Sequence, residues 1–198
     1  MNHQCSFQLP GWVSAFLDAW EVPLDTARLR MELAVALSAE NIRQQTGGPF
    51  AALVVDEDKK ELVAVGLNLV TSVGLSIAHA EIVALSLAQA QVGEWDLARA
   101  GHLQLISSCE PCAMCFGAVP WSGVKSLVCG AGKTDAEAAG FDEGDKPADW
   151  VRSLQRRGIV VQTGVLSKQA AQVLVDYKSS GATVYNASTV KNTVRLRR

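Results

Sequence analysis

Two short stretches, His79-Ala80-Glu81 and Pro111-Cys112-Ala113-Met114-Cys115, restrict this chain more than any other feature. One imidazole and two thiols form a borderline-soft donor set that suits zinc. Three protein ligands leave the fourth tetrahedral position to water, as catalytic sites require. Glu81, two residues after the histidine, can stand beside that water without ligating the metal. Proline favours the first helical position. Pro111 is therefore expected to open a helix, with Cys112 in its first turn and Cys115 three residues on, along the same face. Free N–H groups and the positive helix end favour thiolate there, and two thiolates that close repel until a divalent cation binds. His79 and Glu81 point to different sides of a regular helix. They share a pocket only if it lies across the helix end and both side chains wrap the first turn.

Each feature has a plainer reading. A lone histidine before a helix, or a lone cysteine pair, is more often packing than ligation. Their coincidence with Glu81 and Pro111 favours chemistry, in which Glu81 takes a proton from the water and returns it to a ring nitrogen. Help of that kind is worth about 10²–10⁴ in rate. Of three histidines, His3 belongs to the terminus, so a three-histidine site is not expected beside His79 and His102. Cys109 extends the run to C-x-x-C-x-x-C, but an iron–sulfur pattern needs a further cysteine followed by proline, and Phe116-Gly117-Ala118 follows instead. Cys109 and Cys129 read as small core residues at strand ends, and Cys5 as terminus. No G-x-S-x-G elbow or glycine-rich phosphate loop is present.

The elements follow from periodicity. Trp12, Val13, Phe16, Leu17 and Trp20 give an added N-terminal helix over about residues 10–22. A second helix runs from an N-cap at Asp25 to about Gln45, with Leu29, Leu33 and Leu37 on one face. Ala51–Val55 and Leu62–Val70 form a hairpin with a polar tip. Residues 78–91 form a buried helix, 102–107 a strand, Pro111 onward a helix and 126–130 a strand. A Gly- and Asp-rich crossing over 132–146, a helix over 149–157, a strand over 159–163 and a helix over 167–178 complete the chain. The order implies a single domain over 1–198, of α/β class, with a mixed five-stranded sheet between helical layers and a tail over about 181–198.

Charge and composition narrow the partners. The 198 residues carry a net charge of −2, with a pI near 5.9, which supplies no global field for nucleic acid. The cluster of Lys191, Arg195, Arg197 and Arg198 reads as a solvated tail. No run approaches the ~20 apolar residues of a membrane span, and the N-terminus lacks a signal peptide's basic start and apolar run. A cytoplasmic location is expected, where clustered cysteines mean metal or catalysis rather than disulfides. The triplet Asn186-Ala187-Ser188 matches a glycosylation acceptor that such a compartment leaves unused.

The H-x-E and P-C-x-x-C pair is the signature of zinc nucleobase deaminases, and the chain resembles the cytidine-deaminase-like superfamily from about Asp25 to Tyr185. Within it, Ser108 through Cys115, Trp121 and the run Thr134 through Glu143 are similar to bacterial guanine deaminases. The resemblance implies a three-layer α/β/α fold, one zinc per chain on His79, Cys112 and Cys115, and conversion of guanine to xanthine with Glu81 as proton shuttle. It further implies Glu143 as a second proton carrier, and Phe50, Asn68, Ala80 and Trp121 as residues touching the base. A homodimer is implied too, with the C-terminal segment from Tyr185-Asn186 closing a site, exchanged between subunits in some members. Without the resemblance, Asn68 could cap a strand end, Phe50 and Trp121 would be core, and Glu143 would sit in a solvated acidic loop. A tRNA adenosine deaminase, a deaminase of another aminated ring such as cytosine or an aminotriazine, and a structural zinc knob in a binding module are the competing readings.

Overall fold

The computed structural model describes residues 6–187. Cys5, His3, Ser188 of the acceptor triplet and the cationic cluster from Lys191 lie outside the described residues. In chain order the elements are α1 (Trp12–Asp18), α2 (Ala27–Arg43), β1 (Ala51–Asp56), β2 (Glu61–Leu67), α3 (Val70–Val73), α4 (Ala80–Val92), β3 (Leu103–Cys109), α5 (Ala113–Ser122), β4 (Ser126–Ala131), α6 (Lys133–Ala139), α7 (Trp150–Gln155), β5 (Val160–Gln162) and α8 (Ser167–Ser179). The sheet order is β2-β1-β3-β4-β5. β1 is antiparallel to β2 and to β3, whereas β3–β4 and β4–β5 are parallel. Among the described residues no helix is long and apolar enough to cross a membrane.

Alternation along the strands feeds two cores. On β1, Ala52 and Val54 pack with α4, α5 and α7, while Ala51, Leu53 and Val55 pack with α1 and α2. β1, β3 and β4 are buried along their whole length, as strands covered on both faces must be. α4 lies directly on β2 because Gly66 has no side chain. A Cβ there would stand 2.0 Å from the Ala80 carbonyl oxygen. The N-terminal element is tied in through Val13, which is buried, and through Trp12, whose Nε1 donates to Thr46 Oγ1 at 3.0 Å.

Four expectations shift. The N-cap of α2 is Thr26, not Asp25, because its Oγ1 accepts the Leu29 N–H at 3.2 Å. Its buried stripe includes Arg30 and Asn41 beside Leu33 and Leu37. β2 stops at Leu67, and Val70 opens the short α3 instead of continuing the strand. The crossing after Gly132 contains α6, where Asp135 accepts the Gly132 N–H at 2.8 Å and Gly140, at φ 107°, ends the helix. Pro111 does not open α5. Cys112 is extended (φ −64°, ψ 175°) and caps the helix, so the proline stands one residue outside it.

Candidate active site

The site lies where two helices begin. His79 is the N-cap of α4 and Glu81 belongs to its first turn. Cys112 is the N-cap of α5, with Cys115 three residues on, at the end of β3. The pocket crosses both helix ends, so His79 and Glu81 reach it together despite their spacing. One ligand atom each from His79, Cys112 and Cys115 lies within 4.8 Å of the others, the one such metal-binding group among the described residues. Tetrahedral zinc with arms of about 2.0–2.3 Å fits that span and that donor chemistry.

Without a cation these groups satisfy one another. Cys112 Sγ lies 3.5 Å from His79 Nδ1. The Cys115 thiol and then the His79 ring hold the Cys112 thiol down at about 4. Cys115, bonded to that thiolate and buried, is held well above an ordinary thiol. Burial alone would push His79 down. Its hydrogen bond to Cys112 and the charges of Glu81, Cys112 and Glu143 outweigh this and raise it.

A cavity of about 230 Å³ opens beside His79 and Cys112, with Cys115 buried behind them. Phe50, Asn68, His79, Glu81, Cys112 and Glu143 line it, with Phe141 and Tyr185. Burial, and then the negative charge of Cys112, raise Glu81. Glu143 is pushed up to about 8, first by burial and then by the charges of Cys112 and Glu81. Its Oε2 is buried with no hydrogen-bond partner in the protein. Phe50 and Phe141 meet edge to face at 4.9 Å, and Phe141 also touches Tyr185.

Asn68 ends β2 and is only 1% exposed. Its Oδ1 receives the Val70 N–H at 3.4 Å and its Nδ2 donates to Tyr185 Oη. Gly47 lets the preceding loop approach, since a Cβ there would stand 1.8 Å from the Asn68 carbonyl oxygen. Asn41 fastens this corner, donating to the carbonyls of Gly48 (2.8 Å) and Asn68 (3.1 Å) and accepting from Thr46 Oγ1 at 2.7 Å. Trp12 therefore reaches Asn68 through Thr46 and Asn41. Replacing Asn41 by Ala removes two buried hydrogen bonds, while the Gly48 and Asn68 carbonyls keep the backbone N–H groups of Phe50 and Gly48. A loss of about 1–3 kcal/mol is therefore expected in urea unfolding, with weaker binding at Asn68.

Two expected pocket residues lie elsewhere. Trp121, at the far end of α5, is 84% exposed and does not line the cavity. Ala80 is fully buried in the core under α4 rather than at the cavity wall. The segment Tyr185–Ala187 roofs the site of its own chain. Asn186 pins it, its Oδ1 accepting from Asp142 N at 3.0 Å and its Nδ2 donating to Gly140 O at 2.8 Å. Asn41 and Phe141 are site residues that the sequence reading missed. Asn41 had a signal in being a polar residue on an otherwise apolar helix face.

A metal-binding His-Cys-Cys group with an adjacent carboxyl, at helix N-termini over a mixed sheet, defines a metal-dependent hydrolytic deaminase. Residues 25–131 match the cytidine and deoxycytidylate deaminase zinc-binding region, and the chain belongs to that family. It is 38% identical over 125 residues to the guanine deaminase of Bacillus subtilis, covering 60% of this chain and 77% of that protein. A solved guanine deaminase from Nitrosomonas europaea is 44% identical with a TM-score of 0.83, covering 90% of this chain and 98% of that one. A solved structure in complex with 2,6-diaminopurine is also 44% identical, with a TM-score of 0.85 over 94% of this chain and 99% of that one.

Proposed function

We propose that this chain hydrolyses guanine to xanthine and ammonia, with one zinc ion per chain on His79, Cys112 and Cys115. The convergence of those donors beneath a small cavity walled by Glu81, Asn68, Phe50 and Glu143 carries the reading. When bound there, zinc supplies the Lewis acidity that makes hydroxide available at neutral pH. The remaining work belongs to side chains. Phe50 packs on the ring face and the Asn68 amide pairs with the ring's polar edge, where Tyr185 Oη otherwise sits. Glu81 takes the proton as the water oxygen bonds to the amino-bearing carbon, and delivers it to a ring nitrogen. The carbon–nitrogen bond then breaks: the amine takes a proton from Glu143 and leaves as ammonia, and the hydroxyl proton of the added oxygen passes to Glu81 as the carbonyl forms. Exchange with solvent returns both carboxyls to their starting states. A carboxyl held up at about 8 is a donor at neutral pH.

The size and roof of the cavity support a free base over an RNA loop, as does the net charge of −2. The purine ligand and the guanine deaminase names among the relatives support the same choice. Incubation with guanine, adenine, cytosine, their nucleosides and an adenosine-containing tRNA loop, read by ammonia release, tests it. Guanine is expected to give the dominant signal. Ammonia from the tRNA loop but not from guanine overturns the substrate assignment.

We also infer a homodimer. α5 carries no charged residue and leaves Met114 and Trp121 exposed, a patch that can pair with its own copy across a twofold axis. Sedimentation at twice 21.1 kDa is the expected result, and Trp121→Lys is expected to give monomers.

A further inference from the structure

Glu143 lies on a crossing, residues 140–149, that has no helix or strand of its own. Its position is therefore set by individual contacts, among them Asp142 N to Asn186 Oδ1 and Lys133 Nζ to the Gly144 carbonyl at 3.2 Å, and one buried side chain of the crossing ties it to the cysteine-bearing turn. Lys146 Nζ donates to Glu110 Oε2 at 3.2 Å and to the Pro111 carbonyl at 2.9 Å. It also lies 4.3 Å from the centre of the Trp150 ring. Its side chain is 2% exposed, and an ammonium is kept that far from water only where it is paired. The partners it grips are the two residues immediately before Cys112.

A second fastening runs the other way, from the Ala113 N–H to the Glu143 carbonyl at 2.9 Å. The two attachments straddle Cys112 on one segment and bracket Gly144 and Asp145 on the other. We propose that Lys146 is a positioning residue for the deamination: it clamps the Glu143 loop to the cysteine-bearing turn and so fixes the Glu143 carboxyl at the cavity wall. This inference rests on Glu143 acting as the second proton carrier. Displacement of a reacting group by about 1 Å can cost on the order of a hundredfold in rate, so the clamp matters even though Lys146 touches no substrate.

Lys146→Met keeps a long unbranched side chain in the buried position and removes both donated bonds together with the ammonium over Trp150. Together with Glu143→Gln and the double variant it makes a cycle, read by kcat and KM for guanine, zinc content and thermal midpoint. The expected result for Lys146→Met is a loss of about tenfold to a hundredfold in kcat, with KM within about threefold and zinc retained. In the Glu143→Gln background the same change should cost less than about threefold, because a residue acting through Glu143 has nothing left to position. Lys146→Arg, which keeps charge and donors, should recover part of the loss. Equal losses in both backgrounds, or none in the first, overturn the clamp while Glu143 keeps its role. An unchanged kcat for Glu143→Gln alone sinks the reading of Glu143, and this inference with it. If Lys146→Met does not fold, Glu110→Ala, which removes the acceptor of the Lys146 ammonium, takes its place in the same cycle with the same outcomes.

Discussion

Replacing Glu81 by Gln should lower kcat/KM for guanine by about 10²–10⁴, equivalent to about 3–5 kcal/mol of transition-state stabilisation, while zinc content stays unchanged. Gln keeps the volume and the polar contacts of a residue that is only 6% exposed, and it removes the one property the reaction needs, a proton acceptor. The stability change should run the other way. Burial raises the Glu81 carboxyl above its ordinary value, so folding binds a proton there more tightly than the unfolded chain does. The metal-free protein is then most stable, as far as this group decides, below the ordinary carboxylate range, and loses that contribution as pH rises through the raised value. At neutral pH the variant should melt no lower than the parent in the metal-free form, the exchange of stability for activity that buried catalytic groups show. A variant with full activity would assign the proton transfer elsewhere. One with lost zinc would make Glu81 part of the metal site.

How far these groups were legible in the sequence depends on whether their signal was local. The two ligand stretches were readable because helix starts are local events, and the unbroken apolar run Ala51 to Val55 was enough to mark β1 as a buried strand; the structure covers it with a core on each face. The sequence reading took Pro111 for the first helical residue. The deciding contact is the Ala113 N–H to the Glu143 carbonyl, thirty residues away in sequence, which starts the helix after Cys112. No sequence pattern announces that Arg30 is buried, with its Nε donating to the Leu24 carbonyl at 2.7 Å and its Nη1 to Gln104 Oε1 at 2.8 Å. Missing α6 was different. Its N3 aspartate and closing glycine were in plain view, but a high count of Gly and Asp outweighed the alanine run between them. Trp121 is the converse case: the resemblance alone implies a pocket role, and within its own chain the residue is exposed on α5 and does not line the cavity.

Stripping the metal, or replacing Cys112 by Ser, should abolish deamination and also destabilise the fold. A ligand present at a hundred times its Kd stabilises by about 2.7 kcal/mol. For a chain of this size that corresponds to a fall in Tm of about 5–10 °C on chelation. The pH dependence of metal uptake follows from the state of the empty site. His79 is raised above an ordinary imidazole, and Cys115 well above an ordinary thiol. Cys112, down at about 4, is already a thiolate. Ligation needs neutral imidazole and two thiolates, so uptake must release protons from His79 and Cys115 but not from Cys112. Apparent zinc affinity should accordingly climb with pH, because the metal displaces protons from these ligands. Competition with a chromophoric chelator at several pH values measures the slope, and a pH-independent affinity would mean that the ion is held by groups other than these three. Cys115→Ser should show the same loss of activity, with a shallower slope, because the site then lacks the thiol whose proton the metal displaces.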